Sequence, residues 1–413
     1  QDTDLPDTQN ATMIYDIKNK EFQLSKNLNF KRWYGSVVIT GDEKMIMFGG
    51  EDVVTGELST VPEMIDLKNI DQGWRILEKS ESNDLFGDKD ADEWNYPRAF
   101  LTSDGNIVGI SYNKTWVMDL SNEYRVSKTG EIPLVSSGVS GTLEHLNPNF
   151  KDGKKENLRL LTIGSAVGAT NSVLMIAKDK VLVFGGNQAG AEYSPSNKVF
   201  LIDFSNSFKP KISELKSMKH ARSNGNATIL PDGNIFINGG HSYSDLEFSV
   251  FKPEIYNPNT QTSIEMDEAY FRRNYHSSSL LLPDGRILTA GGDVWNAEIF
   301  YPPYLFAKNI NNKTVLAKRP EITKIDKQIK RGNVVNVEIK GDVSRVTLIS
   351  TGSTTHAQGS ESKFREIDFA KASDNSIEIK IDNNSNNLQN GTYLMFILDS
   401  KGVPSEGKIV FIN

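Results

Sequence analysis

Ile235-Phe236-Ile237-Asn238-Gly239-Gly240, set just behind the turn Asp232-Gly233, decides how the rest of this 413-residue chain reads. An apolar run that long with no helical spacing is a buried strand, and Asp-Gly ahead of it is a hairpin turn. The same unit recurs. Met45-Ile46-Met47-Phe48-Gly49-Gly50, Val181-Leu182-Val183-Phe184-Gly185-Gly186 and Ile287-Leu288-Thr289-Ala290-Gly291-Gly292 are its other copies. Asp104-Gly105 and Asp284-Gly285 supply further turns. A further strand in several units closes on an acid or amide: Met64-Ile65-Asp66, Val117-Met118-Asp119, Leu201-Ile202-Asp203, Ile255-Tyr256-Asn257.

Strand, turn, strand, Gly-Gly, loop, strand is one blade of a kelch-type β-propeller. Five such units fall near residues 32–66, 97–120, 171–203, 222–257 and 275–301, after one unaccompanied outer strand, Ala11 to Asp16. The expectation is an all-β chain whose propeller, seven-bladed when whole, is incomplete within these residues, with blades over 1–306. Past Tyr301-Pro302-Pro303-Tyr304 the repeat stops. Residues 307–318 read as a polar linker, and short alternating strands over 319–413 read as an immunoglobulin-like β-sandwich.

Composition narrows the function. Hydrophobic residues make up 38% and charged residues 24%, with a net charge of -7. That balance argues against nucleic acid as a partner, because phosphate binding needs a clustered basic face. No apolar run approaches the roughly 20 residues of a membrane-spanning helix. The chain opens at Gln1, so a processed leader is expected, and it holds no cysteine.

Few residues carry chemistry. Tyr275-His276 begins an inner strand, where neighbouring side chains diverge unless the strand ends in a turn. Phenolate and imidazole suit Cu(II). Taken singly, Tyr34 and Tyr275 could be packing aromatics, His276 and His356 structural histidines, and Trp33 either a shield over Tyr34 or a packing residue.

Their contexts are specific in combination. Arg32-Trp33-Tyr34-Gly35-Ser36, Tyr96-Pro97-Arg98-Ala99-Phe100, Gly164-Ser165-Ala166, Arg273 to Gly292, Thr355-His356 with Arg365, and Gly391-Thr392-Tyr393 together resemble the glyoxal oxidase/galactose oxidase family of copper radical oxidases over nearly the whole chain. The resemblance implies that Tyr34, Tyr275, His276 and His356 hold copper. It makes Tyr34 the redox tyrosine beside Trp33, and Tyr275 the acceptor of the substrate proton. It implies oxidation of a small aldehyde or primary alcohol while O2 becomes H2O2, at an extracellular, periplasmic or cell-surface location. The family joins its redox tyrosine to a cysteine. Here a tyrosyl-cysteine radical would need a cysteine upstream of Gln1, on a missing N-terminal segment of the same propeller. The alternative is a catalytically silent kelch module that binds carbohydrate or protein. Counting Arg-x-Tyr equates Tyr34 with Tyr275, and Asn224 with both.

Overall fold

The computed structural model describes residues 9–16, 19–87, 93–133, 171–188, 191–242, 248–292, 294–355, 358–360 and 362–413. Among them the propeller strands form antiparallel sheets in chain order. The first blade is Ser36–Ile39, Lys44–Phe48, Glu63–Asp66 and Arg75–Ile76. The second is Arg98–Leu101, Ile107–Ser111, Lys114–Asp119 and Arg125–Glu131. The third is Ser172–Ala177, Lys180–Phe184, Val199–Asp203 and Lys211–Leu215. The fourth is Ser223–Ile229, Ile235–His241, Glu254–Asn257 and Thr262–Glu265. The fifth has three strands, Ser277–Leu281, Ile287–Gly291 and Ala297–Phe300.

Ahead of the first blade, Met13–Asp16 pairs with Glu21–Leu24 as a two-stranded sheet with no inner strands among the described residues, and the Asp16 carboxylate accepts the Asn19 backbone N–H at 3.1 Å in the turn. Between the blades and the sandwich, Phe306–Lys308 and Thr314–Leu316 pair as a hairpin.

A repeated buried tie fixes where each blade begins. Arg32 donates to the Gly49 carbonyl at 2.7 Å and to the Glu63 carboxylate at 3.0 Å. Arg222 repeats this with Gly239 at 2.7 Å and Glu254 at 2.8 Å, and Arg273 with Gly291 at 3.4 Å and Glu298 at 3.3 Å. The carboxylates also anchor the chain arriving from the blade before. Glu63 accepts the backbone N–H of Asn29 at 2.6 Å, and Glu254 that of Lys219 at 2.6 Å. Such additional hydrogen bonds offset part of the cost of burying an ion pair. The sequence reading followed the apolar residues and the closing Asp or Asn of each third strand. It passed over the Glu at or next to the start of three of them, Glu63, Glu254 and Glu298.

The C-terminal part is a sandwich. One sheet is Glu321–Lys324, Val334–Lys340, Ser376–Lys380 and Phe369–Ser373. The other is Gln328–Ile329, Lys408–Ile412, Gly391–Leu398, Arg345–Ser350 and Phe364–Ile367. Val337, Ile379, Val346, Met395 and Val410 close the core between them. Gly391–Leu398 is apolar on both faces because both are covered. Met395 and Ile397 point into the sandwich, while Leu394, Phe396 and Leu398 pack with Ile229, Ile235 and Tyr256 of the fourth blade.

The sandwich seats on the hairpin turns that join inner strands to their neighbours. Asn390 donates to Glu43 at 2.6 Å in the first turn, and Asn384 to the Ser103 carbonyl at 2.9 Å in the second. Arg345 donates to the Asp232 carbonyl at 2.9 Å, Thr347 to Pro231 at 3.0 Å and Arg319 to Asp284 at 2.7 Å. The Gly-Gly ends therefore lie on the opposite face. A sandwich hairpin, Ser353–Thr355 with Gln358–Ser360, runs against the inner strands of the third, fourth and fifth blades. No helix among the described residues is long and apolar enough to cross a membrane.

Candidate metal centre

The site is built at the start of the inner strands, on the Gly-Gly face. In the first blade Ser36 pairs with Phe48 and Trp33 bridges to Glu51, so Tyr34 faces Gly50. In the fourth, Ser223 pairs with His241 and Gly225 with Gly239, so Asn224 faces Gly240. In the fifth, Ser277 pairs with Gly291, so His276 faces Gly292. All three facing residues are left-handed, with φ of 62° at Tyr34, 55° at Asn224 and 63° at His276. Tyr96 of the second blade, φ 46°, occupies the same place ahead of its strand. Non-glycine residues in this region are uncommon and mark sites where the surrounding fold holds strain.

This register corrects the count from arginine. The fifth blade carries one extra residue between Arg273 and Ser277, so the equivalent of Tyr34 and Asn224 is His276, not Tyr275. The inserted residue places Tyr275 and His276 together in a turn, with their rings stacked 3.9 Å apart at 29°.

Tyr34 and Tyr275, 241 residues apart, meet hydroxyl to hydroxyl in a hydrogen bond. The Tyr34 ring stacks on Trp33 at 3.8 Å, with Tyr96 at 4.8 Å and Trp94 at 6.5 Å. The Tyr96 backbone N–H donates to the Tyr34 carbonyl at 2.9 Å, tying the first blade to the second at this point. Burial first, then the Tyr34 hydroxyl, pushes the Tyr275 phenol well above its ordinary value. Burial and the nearby Tyr34 do the same to Tyr96. Phenols crowded together keep their protons, and a cation among them reverses that preference.

Two phenolic oxygens beside an imidazole offer the oxygen and nitrogen donors that Cu(II) takes, so the residues present fit that metal. Among the described residues no three His, Cys, Asp or Glu side chains gather to hold an ion elsewhere. His356 lies outside the described residues, as do His145 and Gly164-Ser165-Ala166. The strands on either side of His356 are those of the sandwich hairpin beside the inner strands. His220 sits away from this group, its ring 2.8 Å from Glu265 on an outer strand. His241 stands next to the ring of left-handed residues, its Nε2 3.2 Å from the Asn224 amide nitrogen. Sequence reasoning had no use for Asn224 and His241. The signal that finds them is the pairing of Ser223 with His241.

Blades of this pattern, with paired tyrosines and a histidine at one end and a sandwich at the other, define a β-propeller joined to an immunoglobulin-like sandwich. The chain belongs to the glyoxal oxidase/galactose oxidase family: the glyoxal oxidase N-terminus matches residues 12–307 and the galactose oxidase-like early set domain matches 319–412. A galactose oxidase of Gibberella zeae is 30% identical over 277 residues, covering 63% of this chain and 40% of that one. An aldehyde oxidase of Arabidopsis thaliana, GLOX1, is 26% identical over 373 residues, covering 80% of this chain and 55% of its own. These matches take in about half or less of the relatives' length. A fungal alcohol oxidase of the AA5 family, solved in complex with copper, superposes with a TM-score of 0.79 at 19% identity over 98% of this chain and 81% of its own, a likeness of fold.

Proposed function

We propose that this protein is a copper-dependent oxidase of small aldehydes or primary alcohols, in which the substrate loses two electrons and two protons and O2 becomes H2O2. The observation that carries this reading is the hydroxyl contact of Tyr34 with Tyr275 beside His276. Tyr34, Tyr275, His276 and His356 would hold the metal. Bound there, Cu(II) would accept an electron and acidify a substrate hydroxyl.

The chain's own residues do the rest. Tyr275, 38% exposed, takes the substrate proton on its phenolic oxygen. Trp33 stacks on the half-buried Tyr34 ring and Tyr96 tilts against it, which would shield part of a redox-active ring from water. The left-handed turns hold these side chains in place before substrate arrives, which is the protein's main contribution to such chemistry. The propeller over 1–306 would carry the tyrosines, the sandwich over 319–413 would deliver His356, and the protein would act outside the cell or in the periplasm.

The sequence contains no cysteine. A thioether on Tyr34 would therefore draw its sulfur from outside these 413 residues. That fact favours one second reading, a redox-silent binding module on the same fold. Mass spectrometry of the Tyr34 peptide from native, copper-treated protein, with a peroxide assay alongside, separates the two. A cysteine-bearing adduct with peroxide release supports the oxidase. An unmodified Tyr34 with no peroxide from any small alcohol or aldehyde rejects it.

A further inference from the structure

Asn224 stands in the fourth blade where Tyr34 stands in the first and His276 in the fifth. Each is left-handed, each faces the second glycine of its Gly-Gly, and each lies six residues ahead of the residue that closes its blade's turn, Leu230, Thr40 or Leu282. Blades repeat by rotation about one axis, so equivalent residues share a height and a distance from it. Asn224 is thus on the ring that carries two of the candidate ligands, and its own blade contributes a neutral amide there. An amide is a poor ligand for a soft or borderline metal and a good partner for a hydroxyl.

The amide is also oriented. Its Nδ2 lies 3.2 Å from His241 Nε2, so the amide N–H is directed at the imidazole and the carbonyl oxygen Oδ1 is left to accept. His241 bridges to Ser249, whose hydroxyl accepts Asn274 Nδ2 at 2.9 Å. Asn274 is the residue ahead of Tyr275. The pair is therefore tied to the turn that presents Tyr275 and His276, and Gly240 N–H donates to the Arg273 carbonyl at 2.7 Å to lock the two blades at this level.

We propose that Asn224, oriented by His241, is a substrate-positioning residue whose carbonyl accepts a hydroxyl on the carbon next to the reacting one. The site would then select small vicinal diols and α-hydroxy aldehydes over their unsubstituted counterparts. The proposal rests on the oxidase reading above and specifies its substrate class.

The test compares propane-1,2-diol with propan-1-ol on the copper-loaded protein. Asn224→Ala is expected to lower the ratio of the two kcat/KM values about tenfold, through a higher KM for the diol, as loss of a hydrogen bond made to one substrate and not the other does. His241→Ala should lower it similarly, and His241→Gln, which still offers an acceptor to Nδ2, should restore most of it. An unchanged ratio in Asn224→Ala overturns the proposal, and so does an equal loss on both alcohols, which marks a structural role. Peroxide release by the unaltered protein is scored separately. If it is absent, the oxidase reading fails, and the same ratio is then taken from the two dissociation constants by calorimetry, where its insensitivity to Asn224→Ala again overturns the proposal.

Discussion

His276 faces Gly292 in the fifth blade as Tyr34 faces Gly50 in the first, although His276 lies three residues past its arginine and Tyr34 only two. One inserted residue thus converts a position that presents one side chain into a turn that presents two. The second glycine is what lets the chain pass so close beneath them.

That closeness can be measured. A Cβ on Gly292, φ +75°, would meet the Asn274 backbone nitrogen at 2.8 Å, whereas one on Gly402, φ +81°, would meet nothing within 4 Å. Gly402→Ala should cost about 1 kcal/mol from left-handed strain alone. Gly292→Ala should cost roughly 2–4 kcal/mol and weaken copper binding as the Tyr275–His276 turn shifts. Chemical denaturation and a copper titration of both variants check this.

The tie between Arg222 and Glu254 is sealed, with 2% and 0% of the side chains exposed. Burial raises the Glu254 carboxyl, but Arg222, Ser263 and the Lys219 N–H outweigh it and hold it below the ordinary 4.5. A depressed carboxyl stabilises the fold above its unfolded value and stops doing so as pH falls through its folded one. Glu254→Gln should lose about 3 kcal/mol near neutrality. The difference from the unaltered protein should be largest near neutrality and shrink as pH falls below the ordinary carboxyl range and through the depressed folded value of Glu254.

Propeller and sandwich share a core, with Phe396 packed in the same cluster as Ile235 and Tyr256. All five tryptophans lie at or before residue 295, in the blades. Phe396→Ala should cost about 3–5 kcal/mol. The loss should appear in tryptophan fluorescence, which reports only on the propeller, as one transition shifted as a whole. A tryptophan transition left unshifted by this change in the sandwich strand would mean that the parts fold independently.

Replacing Tyr34 or Tyr275 by Phe, or His276 by Ala, should weaken Cu(II) binding by more than the roughly 10–100-fold that follows from losing a supporting partner. His220→Ala, whose ring meets Glu265 on an outer strand, should bind copper unchanged. Calorimetric titration of the four variants decides it.

The inner strands were legible because a buried apolar run ended by Gly-Gly admits few other readings. The fourth, outermost strands were not. Thr262–Glu265 is mostly exposed, Lys211–Leu215 offers only Ile212 and Leu215 to the core, too few for a periodic apolar signal, and Arg75–Ile76 is two residues long. Gly391–Leu398 was plain for the opposite reason, being covered on both faces. In the site, Tyr34, Tyr275 and His276 could be picked from their neighbours in sequence. The nearness of Tyr96 to Tyr34 could not, since it arises where two blades meet. The equivalence of Asn224 and His276 was hidden by an insertion that only strand pairing exposes.

Seating the sandwich on the hairpin turns has an evolutionary consequence. Changes in residues such as Asp232, Ser103 or Glu43 must answer to a partner surface in the same chain. The loops beyond Gly-Gly lie on the opposite face, away from those turns. Lineages of this fold can therefore exchange what they recognise at one pole while the opposite pole keeps the assembly intact, so new specificities can arise with little penalty in foldability.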